Sequence, residues 1–177
     1  MVQRFSPLVV VACLAYVVID LALTEDWTDR AIAPGTLVVM GVAALALTAG
    51  MRAADAPVRG LPQRLLLGSG AALVAAGLVP HAEVAALVGL PAAAALLVPR
   101  LAGQERWQAV ARPVEWMTLV AGFGLLAMTY VALPGDRVML GLVERLLLVA
   151  EAGLLAVLAA GLAQVAWPQM TRFLSIS

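Results

Sequence analysis

Apolar residues run in six blocks along the chain, at residues 7–24, 35–51, 64–79, 82–98, 113–133 and 138–167, with polar residues gathered mostly between them. Most blocks are roughly 15 to 22 residues long, close to the ~20 that a helix needs to cross a bilayer. They lack the short alternating pattern that barrel strands would show. Ala, Leu and Gly dominate them, a composition that suits closely packed membrane helices. The pattern predicts an all-α polytopic transmembrane bundle of about six spans, a single domain over residues 1–177. Blocks three and four are parted only by Pro80-His81, a tight helical hairpin. The links at 52–63 and 99–112 carry Pro, Gly and Arg and are expected in water. No internal repeat stands out.

Composition agrees with that pattern. The 177 residues are 63% hydrophobic and 12% charged, with mean hydropathy +1.00. A soluble domain is nearer half apolar and about a quarter charged, so the expected solvent is the bilayer. Formal net charge is zero, which gives no case for nucleic acid as a partner. The single cysteine, Cys13, excludes an internal disulfide, a cysteine zinc cluster and a CxxC redox pair. The apolar run continues past Cys13 through Leu23, with no small-x-small cleavage site after it. The first block is therefore expected to stay as a span.

The arginines set the orientation. With six spans, Arg4, Arg52, Arg59, Arg64, Arg100, Arg106, Arg112 and Arg172 fall on one side. Arg30, Arg137 and a shallow Arg145 fall on the other. Basic residues collect on the cytoplasmic side, so both termini are expected inside. Trp27, Trp107, Trp116 and Trp167 lie at or near block ends, as an interfacial aromatic belt requires.

Ionisable groups within spans are costly and point to function by default. Asp20 lies one turn before the outer end of the first block. Glu115, two residues after Pro113, reads as an ordinary helix start in which the dipole favours an acid. Glu144 and Glu151 are seven residues apart, so they share a face about 10 Å apart along the axis. Glu151 falls near mid-bilayer and should be protonated, paired with a buried cation, or facing a polar cavity. Its plainest role is a hydrogen bond from the neutral acid to another helix. On the outer side lie Glu25, Asp26, Asp29 and Arg30, then His81 and Glu83, then Asp136 and Arg137. His81, the one imidazole, reads as a solvated cap residue or as half of an acid–base pair with a carboxylate. One histidine and scattered acids do not make a metal site, and neither metal nor cofactor is expected. GxSxG, HExxH, P-loop, CxxC and GxGxxG patterns are missing.

Two stretches carry a resemblance. Val79-Pro80-His81-Ala82-Glu83-Val84-Ala85-Ala86 resembles the histidine followed by small residues that starts the fourth span of a bacterial six-span membrane family. Gly141-Leu142-Val143-Glu144-Arg145 is similar to the Gly-Leu-x-(Glu or Gln)-Arg that opens its last span. That family is domain of unknown function 998. The resemblance implies the same span count and order and singles out His81, Glu144 and Arg145, but it supplies no reaction. It also implies a bacterial cytoplasmic (inner) membrane.

Three function classes follow. The first is handling of a lipid or isoprenoid-like apolar ligand in an outward-facing intramembrane cavity. There Glu144, His81 and Glu151 are the candidate acid–base residues, and Arg145, Asp20 and Glu83 the ligand-binding ones. The second is an accessory subunit whose buried polar groups lock helices, with an Arg145–Asp20 ion pair tying the first span to the last. It would have a membrane partner subunit or a second copy as its mate. The third is a small proton-coupled transporter. Membrane lipids are the expected surroundings in each, and the pattern does not say whether catalysis occurs. For topology, single cysteines at Asp55 and Gln104 should resist an impermeant thiol reagent in intact cells, while one at Asp29 should label. Labelling at Gln104 from outside would reverse the orientation.

Overall fold

The computed structural model describes residues 2–23, 32–79, 83–132 and 140–167. These form α1 (Val2–Leu23), α2 (Pro34–Ala53), α3 (Leu61–Leu78), α4 (Glu83–Ala102), α5 (Gln108–Ala132) and α6 (Leu140–Ala166), with no strand among the described residues. Five of these helices are long and apolar enough to cross a membrane, and α4 contributes the shorter apolar stretch Leu87–Ala102. The protein is a multi-pass membrane protein built as a helical bundle.

Each helix packs on the next in the chain, and α6 closes the ring on α1 while also touching α2 and α4. Short links make successive helices antiparallel, so α2, α4 and α6 run one way and α1, α3 and α5 the other. Their lipid exposure differs accordingly. The spans of α2 and α6 are each 56% buried, those of α1 and α5 only 22%. Leu8, Val11 and Val18 of α1 and Phe123, Leu126 and Tyr130 of α5 therefore face outward, at no cost in a hydrocarbon solvent.

Between lipid-bathed helices, close backbone approach takes over from the hydrophobic effect as the source of contact. A Cβ added to Gly41 would stand 2.5 Å from the Gly70 carbonyl oxygen and 2.7 Å from Val74, so the α2–α3 seam depends on bare backbone there. At Gly50 it would strike both Ser6 of α1 and Leu162 of α6. Hydroxyls in the spans find acceptors without water, as hydrocarbon demands. Thr48 donates to the Ala44 carbonyl at 2.7 Å, Ser69 to Leu65 at 2.6 Å and Thr118 to Val114 at 2.7 Å, each within its own helix. Ser6 instead donates across to the Ala46 carbonyl, joining α1 to α2.

The links depart from the all-polar expectation. After α2, Ala56 N–H reaches back to the Met51 carbonyl (2.9 Å) and Asp55 N–H to Arg52 (3.2 Å). With Asp55 at φ 51°, this is a Schellman cap. Ala54, Ala56 and Val58 turn inward and are buried, so the 52–63 link plugs the bundle end while Arg52, Asp55 and Arg59 stay exposed. Gly60, at φ 90°, supplies the left-handed backbone from which α3 departs. Helix α5 begins at Gln108, five residues earlier than the apolar block suggested. Pro113 thus lies inside the helix, and the helix-start reading of Glu115 is corrected. Trp107 sits at a helix end as expected, but its side chain is 1% exposed. It is a core residue where the sequence suggested an interfacial anchor.

Gly41→Val should destabilise the bundle by about 1–3 kcal/mol through overpacking. Gly68→Ala, where nothing lies within 4 Å, should stay within roughly 0.5 kcal/mol of the parent. Detergent-phase thermal unfolding of the two variants checks this contrast.

Candidate functional site

Helix α6 carries three of the polar groups because its central place in the ring gives each a helix to face. Counting from Leu162, which abuts Gly50 of α2, Glu151, Leu155 and Leu158 lie on nearly the same face at 3.6 residues per turn. That face is turned into the bundle, and Leu155, Leu158 and Leu162 are fully buried. Glu151 is 0% exposed, and neither carboxyl oxygen has a hydrogen-bond partner among the described residues. Glu144, two turns nearer the start of α6 on the same face, is half-buried.

Arg145 is 3% exposed but points elsewhere. It stands on the same line of α6 as Ala156 and Ala163, 11 and 18 residues on, which meet α1. Asp20 of α1 is half-buried and accepts a hydrogen bond from the Thr36 hydroxyl of α2. Thr36 itself is fully buried. Asp20, Glu144 and Arg145 are each engaged by further neighbours.

Depth follows from a shared reference. Ser6 and Leu162 meet at Gly50, and α1 and α6 are antiparallel. At 1.5 Å per residue, Asp20 lies ~21 Å above that level, Glu151 ~16 Å and Arg145 ~25 Å. Asp20 thus falls within about one turn of each of the other two, and the structure sets Asp20, Glu144 and Arg145 toward one end, with Glu151 deeper, about 9 Å below Arg145. His81 lies outside the described residues. Glu83 opens α4 at the same end, and its side chain also lies outside them. Thr36 carries no signal in the apolar pattern. Only the register of the α1–α2 hairpin, which sets a residue four from one helix end beside one three into the next, would have found it.

A second feature lies lower on α6. Leu8, Val11 and Ala15 of α1 face Ala156, Ala160 and Ala163 across an apolar groove of about 530 Å³ that opens sideways. Small side chains on α6 hold the two helices apart by less than a methylene row would, leaving a slot along the lipid-facing side. Glu151 is not in its lining and belongs to the opposite, inner side of α6. Among the described residues no three of His, Cys, Asp and Glu converge as metal ligands would.

The family described as "Protein of unknown function (DUF998)" matches residues 20–161, most of the chain and all of α2 through α5, and the protein belongs to that family. No curated protein and no solved structure matches it.

Replacing Glu151 separates charge from shape. Glu151→Gln should unfold within about 1 kcal/mol of the parent, whereas Glu151→Lys should lose roughly 2.5–3.5 kcal/mol, the cost of a cation at mid-span. Thr36→Val should lose about 1–3 kcal/mol by removing a hydrogen bond to a charged acceptor. Unfolding titrations of the three variants in one detergent provide the comparison.

Proposed function

We propose that this DUF998 protein handles a lipid or isoprenoid-like apolar ligand within the membrane, in a cavity opening toward the outer face, with Glu151 as its acid. The carrying observation is the isolation of that carboxyl, wholly enclosed and with both oxygens unpartnered among the described residues. A buried carboxyl that locks helices does so through its bonds. Glu151 makes none among the described residues, while leucine at the same place would cost nothing in desolvation. Chemistry explains such a group better than architecture does. In this reading Glu151 carries a proton, offers it to an apolar ligand, and recovers one from the outer aqueous layer through Glu144 on the same face. Arg145 and Asp20, at nearly the same depth, meet the polar end of the ligand. The orientation that goes with it has both termini in the cytoplasm of a bacterial cell, with the bundle in the inner membrane.

One observation favours the accessory-subunit reading for another part of the molecule. Thr36–Asp20 and Ser6–Ala46 both cross from α1 to α2, and they secure one of the two least buried spans. Asp20 serves in both readings, holding α1 on α2 and facing the polar end of the ligand, whereas Glu151 belongs to the ligand reading alone.

Native mass spectrometry of the detergent-purified protein should show a retained lipid or isoprenoid. Glu151→Gln, folded to the same melting temperature, should retain it with about tenfold lower occupancy, a loss of ~1.4 kcal/mol. A parent protein that flies bare, or a Glu151→Gln variant with unchanged occupancy, would sink this reading.

A further inference from the structure

The arginine-rich end of the bundle contains a pocket that the outer-side reading does not use. The Schellman cap of α2 sets Asp55 in the left-handed region, which turns the link sharply and aims Asp55 and Arg59 at the last turn of α4. There the Arg100 Nη1 donates to the Arg59 carbonyl at 2.5 Å, fastening the α2–α3 link to α4. Asp55, Ala56, Pro57, Arg59, Arg100 and Gln104 line an open, shallow pocket of about 440 Å³. Arg59 Nη2 stands 3.6 Å from Asp55 Oδ1, and both side chains are more than four-fifths exposed. An ion pair that long and that wet contributes little to stability, so both groups are available to a ligand. Arg100 spends one N–H on the link and keeps the others of its fork.

The surroundings fix where this pocket sits. Arg52 in the last turn of α2 and Arg100 in the last turn of α4 belong to helices that run the same way, so they reach one membrane edge. Arg64 near the start of α3 and Arg106 and Arg112 around the start of α5 join them, all exposed. The acids of the same two links and adjoining helix starts, Asp55, Glu105 and Glu115, are fewer. An end of a membrane bundle so charged lies among lipid phosphates. Within the pocket itself, however, two guanidinium groups stand beside one carboxylate. Charge alone would call for a bare anion, which Asp55 repels.

We propose that this pocket binds a phospholipid headgroup in which a phosphodiester is followed by a primary ammonium. The phosphate lies on Arg59 and Arg100, where guanidinium forks match its oxygens. The ammonium, one short spacer away, takes the Asp55 carboxylate, and Gln104 offers a further amide contact. The pocket thereby accepts both ends of a zwitterion, and lipid seated there clamps the two links that close this end of the bundle. None of these residues belongs to the Glu151 site, so each proposal can fail without the other.

The test reconstitutes the intact protein into nanodiscs of phosphatidylcholine doped with phosphatidylethanolamine or phosphatidylglycerol, and counts co-purifying lipids by native mass spectrometry. Phosphatidylethanolamine should be enriched about tenfold over the phosphatidylcholine host, whose methylated ammonium has no N–H to give. Arg59→Gln with Arg100→Gln should abolish the enrichment. Asp55→Asn should retain lipid but lose the preference for the primary ammonium. Thermal unfolding reports folding independently, and Arg112→Gln, on the same surface outside the pocket, should keep the enrichment. Equal or greater enrichment of phosphatidylglycerol would mean attraction by net charge only and overturn the proposal. So would protection of the pocket arginines by inorganic phosphate alone, or an unchanged preference in Asp55→Asn.

Discussion

Hydrocarbon supplies no hydrogen bonds, and nearly every feature of this bundle answers that constraint. Backbone groups satisfy themselves in six helices, and span hydroxyls turn back on carbonyls four residues earlier, as at Thr48 and Ser69. Apolar side chains gain nothing by leaving lipid for one another, so helix association must come from surface fit. The α2–α3 seam shows how, with Gly41 and Gly70 clearing the way for backbone to meet backbone. Ring closure by α6 then follows from contact on several sides. A helix touching four others can hold polar groups that would be intolerable on α5, whose surface is mostly given to lipid.

That distinction separates two kinds of buried polarity in the bundle. Asp20 and Thr36 are each other's solvent: an acceptor on α1 and a donor on α2, joined where the hairpin brings them level. Removing the Thr36 hydroxyl takes one partner from Asp20 while its other neighbours remain, and the loss of such a bond loosens the α1–α2 lock. Glu151 stands apart from this arrangement. It lies deeper, on the inward face of the most central helix, among leucines that are fully buried. A lock needs a keeper, and among the described residues Glu151 has none. The two carboxylates differ by about one turn in depth and by their whole role.

Much of this was legible in the sequence, for reasons that also mark the boundary. The six helices follow from apolar runs long enough to span, and that property needs no neighbours to be read. The inward direction of Glu151 follows from the cost of the alternative. Helix ends were less legible. Gln108 and Arg112 interrupt the apolar run and place the start of block five at Pro113, yet the helix runs through Pro113 as its sixth residue, at the cost of one backbone hydrogen bond. Trp107 looked like a belt residue because tryptophan at a span end usually is one. The turn that follows α4 buries it instead. Thr36 was invisible because its importance lies in a register between helices, which no single helix encodes.

The pocket of Asp55, Arg59 and Arg100 was hidden for a related reason. Each residue had already served a purpose in the reading, the arginines as markers of sidedness and Asp55 as part of a watery link. The left-handed turn at Asp55 and the Arg100–Arg59 bond convert those separate charges into one cavity. The two ends of the bundle consequently use charge in opposite ways. At one end Asp20, Glu144 and Arg145 sit within the spans, where each must be met by protein. At the other, charges sit on links whose inward residues, Ala56 and Val58, are buried to close the core, leaving the guanidinium groups facing the headgroup layer. Burial at one end and display at the other follow from a single fact: α6 continues past Glu144 and Arg145, while the helices that carry Arg52 and Arg100 stop.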